Sequence, residues 1–339
     1  MVNLGILSLD HPHSRGNHIP ALRYMGEIIK VAAVYNDDET VAAPYVESFG
    51  AKYYNSREAL LNDPDIDAVL ITSKNFSHAD DCVAAAEAGK DIFCDKPIAI
   101  SVADGLRIKE AVEKAGVLFL TTYPVRFNPA VTALKKRIDN GELGKITAIM
   151  ATNHGSMYEP GAPDWVKNSK LNGGGCLIDH CVHAADIIRW LTGQEFKDVQ
   201  ALASHALHDD IDGEDLAFVH GHMEDGSIYQ IDASWSRRGC DKMWGDVTFR
   251  VVGTKGSASL DIYNNQRMEV HSDGNMRTLY PNNIVREHGE IFYDYWRHKE
   301  KGAELKGANL IDGLRTVELA YAAYDSLESR DFVQVVKNK

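Results

Sequence analysis

VNLGILSLDHPHSRG, residues 2–16, decides how the first half of the chain is read. Val2–Leu7 is short and apolar, and Ile19, Leu22 and Met25 follow at helical spacing. Strand, turn and helix in that order form the entry to a dinucleotide-binding domain. A G-x-G-x-x-G turn would place glycine at Ser8, Asp10 and His13, and none of the three is glycine. The position of a phosphate loop is therefore present without its usual residues.

The rhythm continues beyond the loop. Short apolar runs recur at Ile29–Tyr35, Ala68–Thr72, Asp91–Cys94 and Val117–Leu120. Helical patterns lie between them at Asp38–Phe49, Ser77–Ala88 and Ser101–Ala115. Gly50, Gly89 and Gly116 follow these helices, where a left-handed residue is needed. Ser77 and Ser101 stand at N-cap positions, and Ser101 with Asp104 makes a capping-box-like pair. Such alternation predicts right-handed crossovers and a doubly wound parallel sheet, with its ligand at the C-terminal strand ends.

From about residue 125 the pattern changes. A helix at Pro129–Asn140 and a strand at Ile146–Asn153 precede a polar stretch from Gly155 to Gly175. A long helix over Cys176–Leu191 follows, then strand-like segments separated by tight turns, and a closing helix at Ile311–Ser329. The expected architecture is α/β. A Rossmann domain over residues 1–124 precedes an α+β domain over 125–339 with a large, open, mainly antiparallel sheet.

Composition narrows the function. The 339 residues exceed one ordinary core, and 44% are hydrophobic against 25% charged. The formal net charge of −13 disfavours nucleic acid and anionic membranes as partners. No apolar run approaches a membrane span, and no secretory pattern opens the chain, so a cytoplasmic setting is expected. The cysteines Cys82, Cys94, Cys176, Cys181 and Cys240 are odd in number and lack a C-x-x-C, which argues against disulfides and thiolate zinc.

Two motifs carry chemistry. Asp95-Lys96-Pro97 follows a strand end, where a lysine beside a cofactor can exchange a proton. The plain alternative is a surface lysine in a turn. GGGCLIDHCVH, residues 173–183, puts Asp179 and His183 four apart on an apolar helix. A carboxylate that orients an imidazole suits acid–base work, and the plain alternative is a satisfied core pair.

These stretches resemble the Gfo/Idh/MocA oxidoreductases, the glucose–fructose oxidoreductase and inositol dehydrogenase family. Asp95-Lys96-Pro97 resembles the family's Glu-Lys-Pro, and Gly173–His183 matches its Gly-Gly-Gly-x-Leu-x-Asp-x-x-x-His. Tyr123–Pro129, Asp139–Lys145 and Asp312-Gly313 resemble further family landmarks. The His-x-His at residues 11–13 resembles a subgroup of that family. The resemblance implies NAD or NADP, a catalytic trio of Lys96, Asp179 and His183, and hydride transfer with a sugar, cyclitol or glycoside carbinol. It also implies a homodimer or homotetramer formed through the C-terminal sheet.

Further expectations attach to single positions. The loop would hold the nucleotide through backbone N–H groups and through Ser8, His13 and Ser14, with Asp10 turned away. Asn36 and Asp37 end the second strand with no arginine nearby, which favours NAD over NADP. Thr72, Asn75, His78, Asp95 and Lys96 would line the cofactor. Arg126, His154, Tyr158, Trp165, His180 and Trp235 are candidates for the substrate side. Asp179, His180 and His183 lack the spacing of H-E-x-x-H, so no metal is expected there. Two other functions compete: a redox-neutral enzyme that cleaves or epimerises a glycoside with tightly held NAD, and a non-catalytic nucleotide sensor. The presence of Lys96, Asp179 and His183 argues against the sensor.

Overall fold

The computed structural model describes residues 1–157, 163–237, 245–263, 267–272, 276–279 and 283–338. Two compact units divide the chain. The first holds Met1–Phe127 and Asn283–Leu314, and the second Asn128–Asn282 and Arg315–Lys339.

In the first unit six strands form a parallel sheet: β1 (Val2–Leu7), β2 (Ile29–Tyr35), β3 (Lys52–Tyr54), β4 (Ala68–Ile71), β5 (Asp91–Cys94) and β6 (Phe119–Thr121). Their order is β6-β5-β4-β1-β2-β3, with Ala308–Asn309 pairing antiparallel on the outer side of β6. The capping signals work as local chemistry requires. Ser101 Oγ accepts from Asp104 N and donates to Asp104 Oδ2 at the start of Val102–Ala115. Gly50 and Gly116 close their helices in the left-handed conformation. At Ser77 no side-chain cap forms.

The chain first leaves the first unit after Phe127 and later returns to it. Asn283–Leu314 groups with the first unit, and its helix Ile284–Lys301 is absent from the sequence reading. Packing explains the grouping. Ile291, Phe292 and Tyr295 are buried in the core that also holds Phe93 of β5. The Phe93 ring lies 5.0 Å from Phe292 and 4.9 Å from Tyr295. Tyr295 Oη donates to Asp91 Oδ2 at 2.7 Å.

The second unit is built on β7 (Ile146–Gly155), β8 (Asp198–Ser204), β9 (Leu216–His222), β10 (Ile228–Ser234), β11 (Gly245–Gly253), β12 (Ser257–Asp261), β13 (Arg267–His271) and β14 (Met276–Leu279). The order is β14-β13-β12-β11-β7-β10-β9-β8, and Val333–Gln334 joins beyond β8. All pairs are antiparallel except β7 with β10. Burial alternates along the strands. Ile149, Ala151 and Asn153 of β7 are buried, whereas Met150, Thr152 and His154 point to the other face. The long helix of the sequence reading is two pieces, a π-helical turn at Leu177–Cys181 and an α-helix at Val182–Thr192. Among the described residues no helix is long and apolar enough to cross a membrane.

Candidate active site

In the first unit the sheet order reverses between β4 and β1, so the chain leaves these strands in opposite directions and opens a crevice at their carboxyl ends. Ser8–Ser14, Asn36-Asp37, Thr72–His78 and Asp95–Pro97 all follow strands at that end. Ser8 takes φ +70, the backbone that a glycine of the usual loop supplies, at a cost of about 1–2 kcal/mol for an L residue. The fold compensates locally. Ser8 N donates to Tyr35 O, and Thr72 Oγ1 donates to Ser8 O at 2.7 Å.

The loop amides do not behave as expected. Leu9 N donates to Asn36 Oδ1, Asp10 N to Ser8 Oγ, and His11 N to Thr72 O. His13 N donates to His11 Nδ1 and Ser14 N to His11 O. Pro12 has no N–H. A loop without glycine folds onto its own chain, and its donors are engaged there. Ser14 is buried, and its hydroxyl donates to His11 O at 2.8 Å. Asn36 is buried and anchors the loop, whereas Asp37 is exposed at the end of β2 and accepts a hydrogen bond from Tyr35 Oη. Asp10 points toward Lys74, 4.0 Å away, which eases the repulsion its charge would cause.

Behind this crevice Asp95 and Lys96 are each 1% exposed. Burial alone would raise the Asp95 carboxyl. His13, His11 and His18 around it hold it well below the usual carboxylate range. Burial, with the neighbouring His13, pushes the His11 imidazole well down. His78 is fully buried between two carbonyls, with Nδ1 2.8 Å from Pro97 O and Nε2 3.1 Å from Ser73 O. Burial opposes a charge on it, but the Cys94 sulfur and the Pro97 carbonyl favour one and bring it to about 9. His78 thus braces the Lys96-Pro97 turn. Thr72 and Asn75 are buried at the same strand end. Arg126, expected on the substrate side, is buried in an ion pair with Asp312 at 3.1 Å.

In the second unit the π-helical turn presents Asp179 and His180. Asp179 Oδ2 accepts from Trp235 Nε1 at 2.9 Å and lies 3.3 Å from His180 Nε2. His180 Nδ1 faces Asn153 O at 3.1 Å, while Asn153 Nδ2 donates to His180 O. Trp235 and His180, both expected on the substrate side, meet at Asp179 Oδ2 and hold that carboxylate in place. His183, one residue into the α-helix, is partly exposed and carries the more open imidazole of the stretch. Trp165 is 6% exposed and has no free face for stacking. Tyr158 and Cys240 lie outside the described residues.

His154 is also displaced from its expected place. It sits on the face of the sheet opposite Asn153, between Asp232 Oδ1 at 2.9 Å and Asp246 Oδ2 at 3.2 Å. Hydrogen bonds to Asp232 and Asp246 raise it to about 9.

Gly173 closes the short helix Ser169–Asn172 in the left-handed conformation, and the two glycines after it serve packing. A Cβ on Gly175 would stand 1.9 Å from Glu214 O, and one on Gly174 would stand 1.8 Å from Tyr324 Oη. Glu214 Oε1 accepts from Gly175 N and Leu177 N at 3.0 Å each and from Tyr324 Oη at 2.9 Å. Sequence reasoning missed Glu214, Tyr324 and Asn153, because each reaches the motif from a distant segment with no local pattern. It also missed His18, and it noted His11 only within the His-x-His stretch, with no role attached.

Comparison with known proteins bears on both units. Residues 13–123 match a family model described as an oxidoreductase family with an NAD-binding Rossmann fold. Residues 131–259 match the GFO/IDH/MocA C-terminal domain. The chain is 30% identical to scyllo-inositol 2-dehydrogenase (NAD(+)) of Bacillus subtilis, over 81% of this chain and 80% of that protein. It is 28% identical to myo-inositol 2-dehydrogenase of Thermotoga maritima, over 84% of each. In fold it is similar to levoglucosan dehydrogenase in complex with NADH, with TM-score 0.89 and 21% identity over 99% of this chain and 100% of that one.

Proposed function

The chain belongs to the GFO/IDH/MocA oxidoreductase family, and from that premise we propose that it is an NAD-dependent dehydrogenase of a cyclitol or sugar hydroxyl. The observation that carries the reading is the combination of Asp37 at the end of β2 with a buried Lys96 at the end of β5. Asp37 suits an unphosphorylated adenosine ribose, with no arginine beside it for a 2′-phosphate. Ser8, Asp10, His13, Thr72, Asn75 and Asp95 border the cofactor. NAD, when bound, accepts the hydride.

The chain's own groups handle the proton. A hydroxyl releases hydride only as its proton leaves, so a base must reach the oxygen. His183 takes that proton, Asp179 steadies the charge that forms, and Lys96 stabilises the developing alkoxide. Relatives named as inositol 2-dehydrogenases support a ring polyol as substrate.

Two wider readings belong with this one. Association into a homodimer or homotetramer through the open face of the second sheet is supported by Ile228, 52% exposed, and Phe218, 37% exposed, on adjacent strands. A cytoplasmic setting is supported by the free, buried thiols of Cys82, Cys94, Cys176 and Cys181.

The test is a titration with NADH and NADPH followed by a polyol and sugar screen reading reduced nicotinamide. Saturable NADH binding and oxidation of a cyclitol are expected. Lys96→Met and His183→Ala should retain NADH and lose about 10²–10⁴ in kcat. Failure to bind either nucleotide, or full activity in His183→Ala, overturns the reading.

A further inference from the structure

One buried carboxylate in the first unit gathers three histidines. Asp95 Oδ2 lies 3.1 Å from His11 Nδ1 and 3.0 Å from His13 Nδ1. Its other oxygen accepts from Thr122 Oγ1 at 2.9 Å and faces His18 Nε2 at 3.4 Å. The ligand atoms of His11, His13 and Asp95 all lie within 4.8 Å of one another. The side chains of His11 and Asp95 are 2% exposed and that of His13 is 19% exposed, so the cluster is closed behind and open at one corner.

The spacing fits a coordination sphere. Two ligand atoms each about 2.1 Å from a divalent ion stand roughly 3.0 Å apart at a right angle and roughly 3.4 Å apart at a tetrahedral angle. The 3.0 and 3.1 Å separations fall inside that span. The polar groups converge as well. His11 Nδ1 accepts the His13 amide at 3.1 Å and stands 3.1 Å from Asp95 Oδ2, and His13 Nδ1 shares a hydrogen bond with the same oxygen at 3.0 Å, a bond that a metal ion would replace. A second layer is also present, since Thr122 and His18 fix the carboxylate through its far oxygen, as partners of metal-bound carboxylates do.

We propose that His11, His13 and Asp95 form a three-ligand site for a divalent transition-metal ion. Two imidazoles and one carboxylate select zinc, cobalt, nickel or ferrous iron over magnesium or calcium. The exposed corner at His13 leaves a coordination position for water or a ligand atom. The cation gives this loop the positive charge that its engaged amides no longer offer. Metal binding here stands apart from the nucleotide reading, because it is measured with no nucleotide present.

The experiment uses untagged full-length protein, stripped with chelator and titrated with Zn²⁺ by calorimetry and with Co²⁺ by visible absorption. One equivalent per chain is expected, with the d–d bands of a Co²⁺ site of nitrogen and oxygen ligands. His13→Ala, at the exposed corner, should weaken binding at least tenfold while circular dichroism shows the native fold. His13→Cys should restore Co²⁺ binding with a new sulfur-to-cobalt charge-transfer band. His222→Ala, on the second sheet, should bind as the parent does. Absence of stoichiometric metal, or equal affinity in His13→Ala, overturns the proposal.

Discussion

The indole N–H of Trp235 donates to Asp179 Oδ2 at 2.9 Å, with Trp235 only 1% exposed and Asp179 4% exposed. A residue on the strand edge after β10 thereby fixes the carboxylate of the π-helical turn, some fifty residues earlier in the chain. A buried carboxylate with a hydrogen-bonded partner keeps one orientation, and His180 Nε2 supports the same oxygen.

Trp235→Phe keeps the ring and removes the donor. A hydrogen bond to a charged group contributes about 1.5–3 kcal/mol, so kcat should fall about ten- to a hundred-fold with KM nearly unchanged. Steady-state kinetics on the substrate found by the screen reads this. Unchanged NADH affinity in the same variant separates positioning of Asp179 from loss of the fold.

Asp37→Ala should weaken NADH about ten- to a hundred-fold and leave NADPH binding equal or improved. Asn36→Ala should instead lower stability, because Asn36 holds the loop through Leu9 N at 2.8 Å. Fluorescence titration and thermal melts distinguish the two.

Gly175→Ala places a methyl 1.9 Å from the Glu214 carbonyl oxygen, a backbone atom that cannot turn aside. The expected loss is about 3 kcal/mol, a fall in Tm of roughly 6–12 °C. Gly16→Ala, with nothing within 4 Å of its Cβ, should shift Tm little. A Gly175→Ala melt equal to that of the parent would rule out the clamp.

The His154 pair gives a pH dependence of known sign. Its folded value, raised to about 9 by Asp232 and Asp246, exceeds the ordinary 6.5. The stabilisation is therefore complete below about pH 6.5 and is lost as pH rises through about 9. The Tm gap between the parent and His154→Gln should be constant from pH 5 to 6.5 and close between pH 6.5 and 9. Asp246, which burial pushes up and His154 and Arg237 draw down to about 2, stays ionised across that window. A gap that persists unchanged at pH 10 would point to a group other than His154.

Sequence alone determined what depends on neighbours within a few residues. Helices such as Val102–Ala115 were legible because Ser101, Asp104 and Gly116 act on the nearest turns. The parallel sheet followed from strand and helix periods alternating, and Asp95–Pro97 and Gly173–His183 stood out as motifs of contiguous chain. Tertiary structure decided what depends on contact between distant segments. Ile284–Lys301 joined the first unit because Phe292 and Tyr295 fill space beside Phe93, which no local pattern states. The loop amides turned inward because Tyr35, Asn36 and Thr72 were there to accept them. His154 and Asn153 are neighbours in the chain, yet strand alternation placed one among carboxylates on the open face and the other against His180. Asp95 drew in His11, His13 and His18 because a carboxylate buried at the end of β5 needs partners, and the fold brought those histidines within reach.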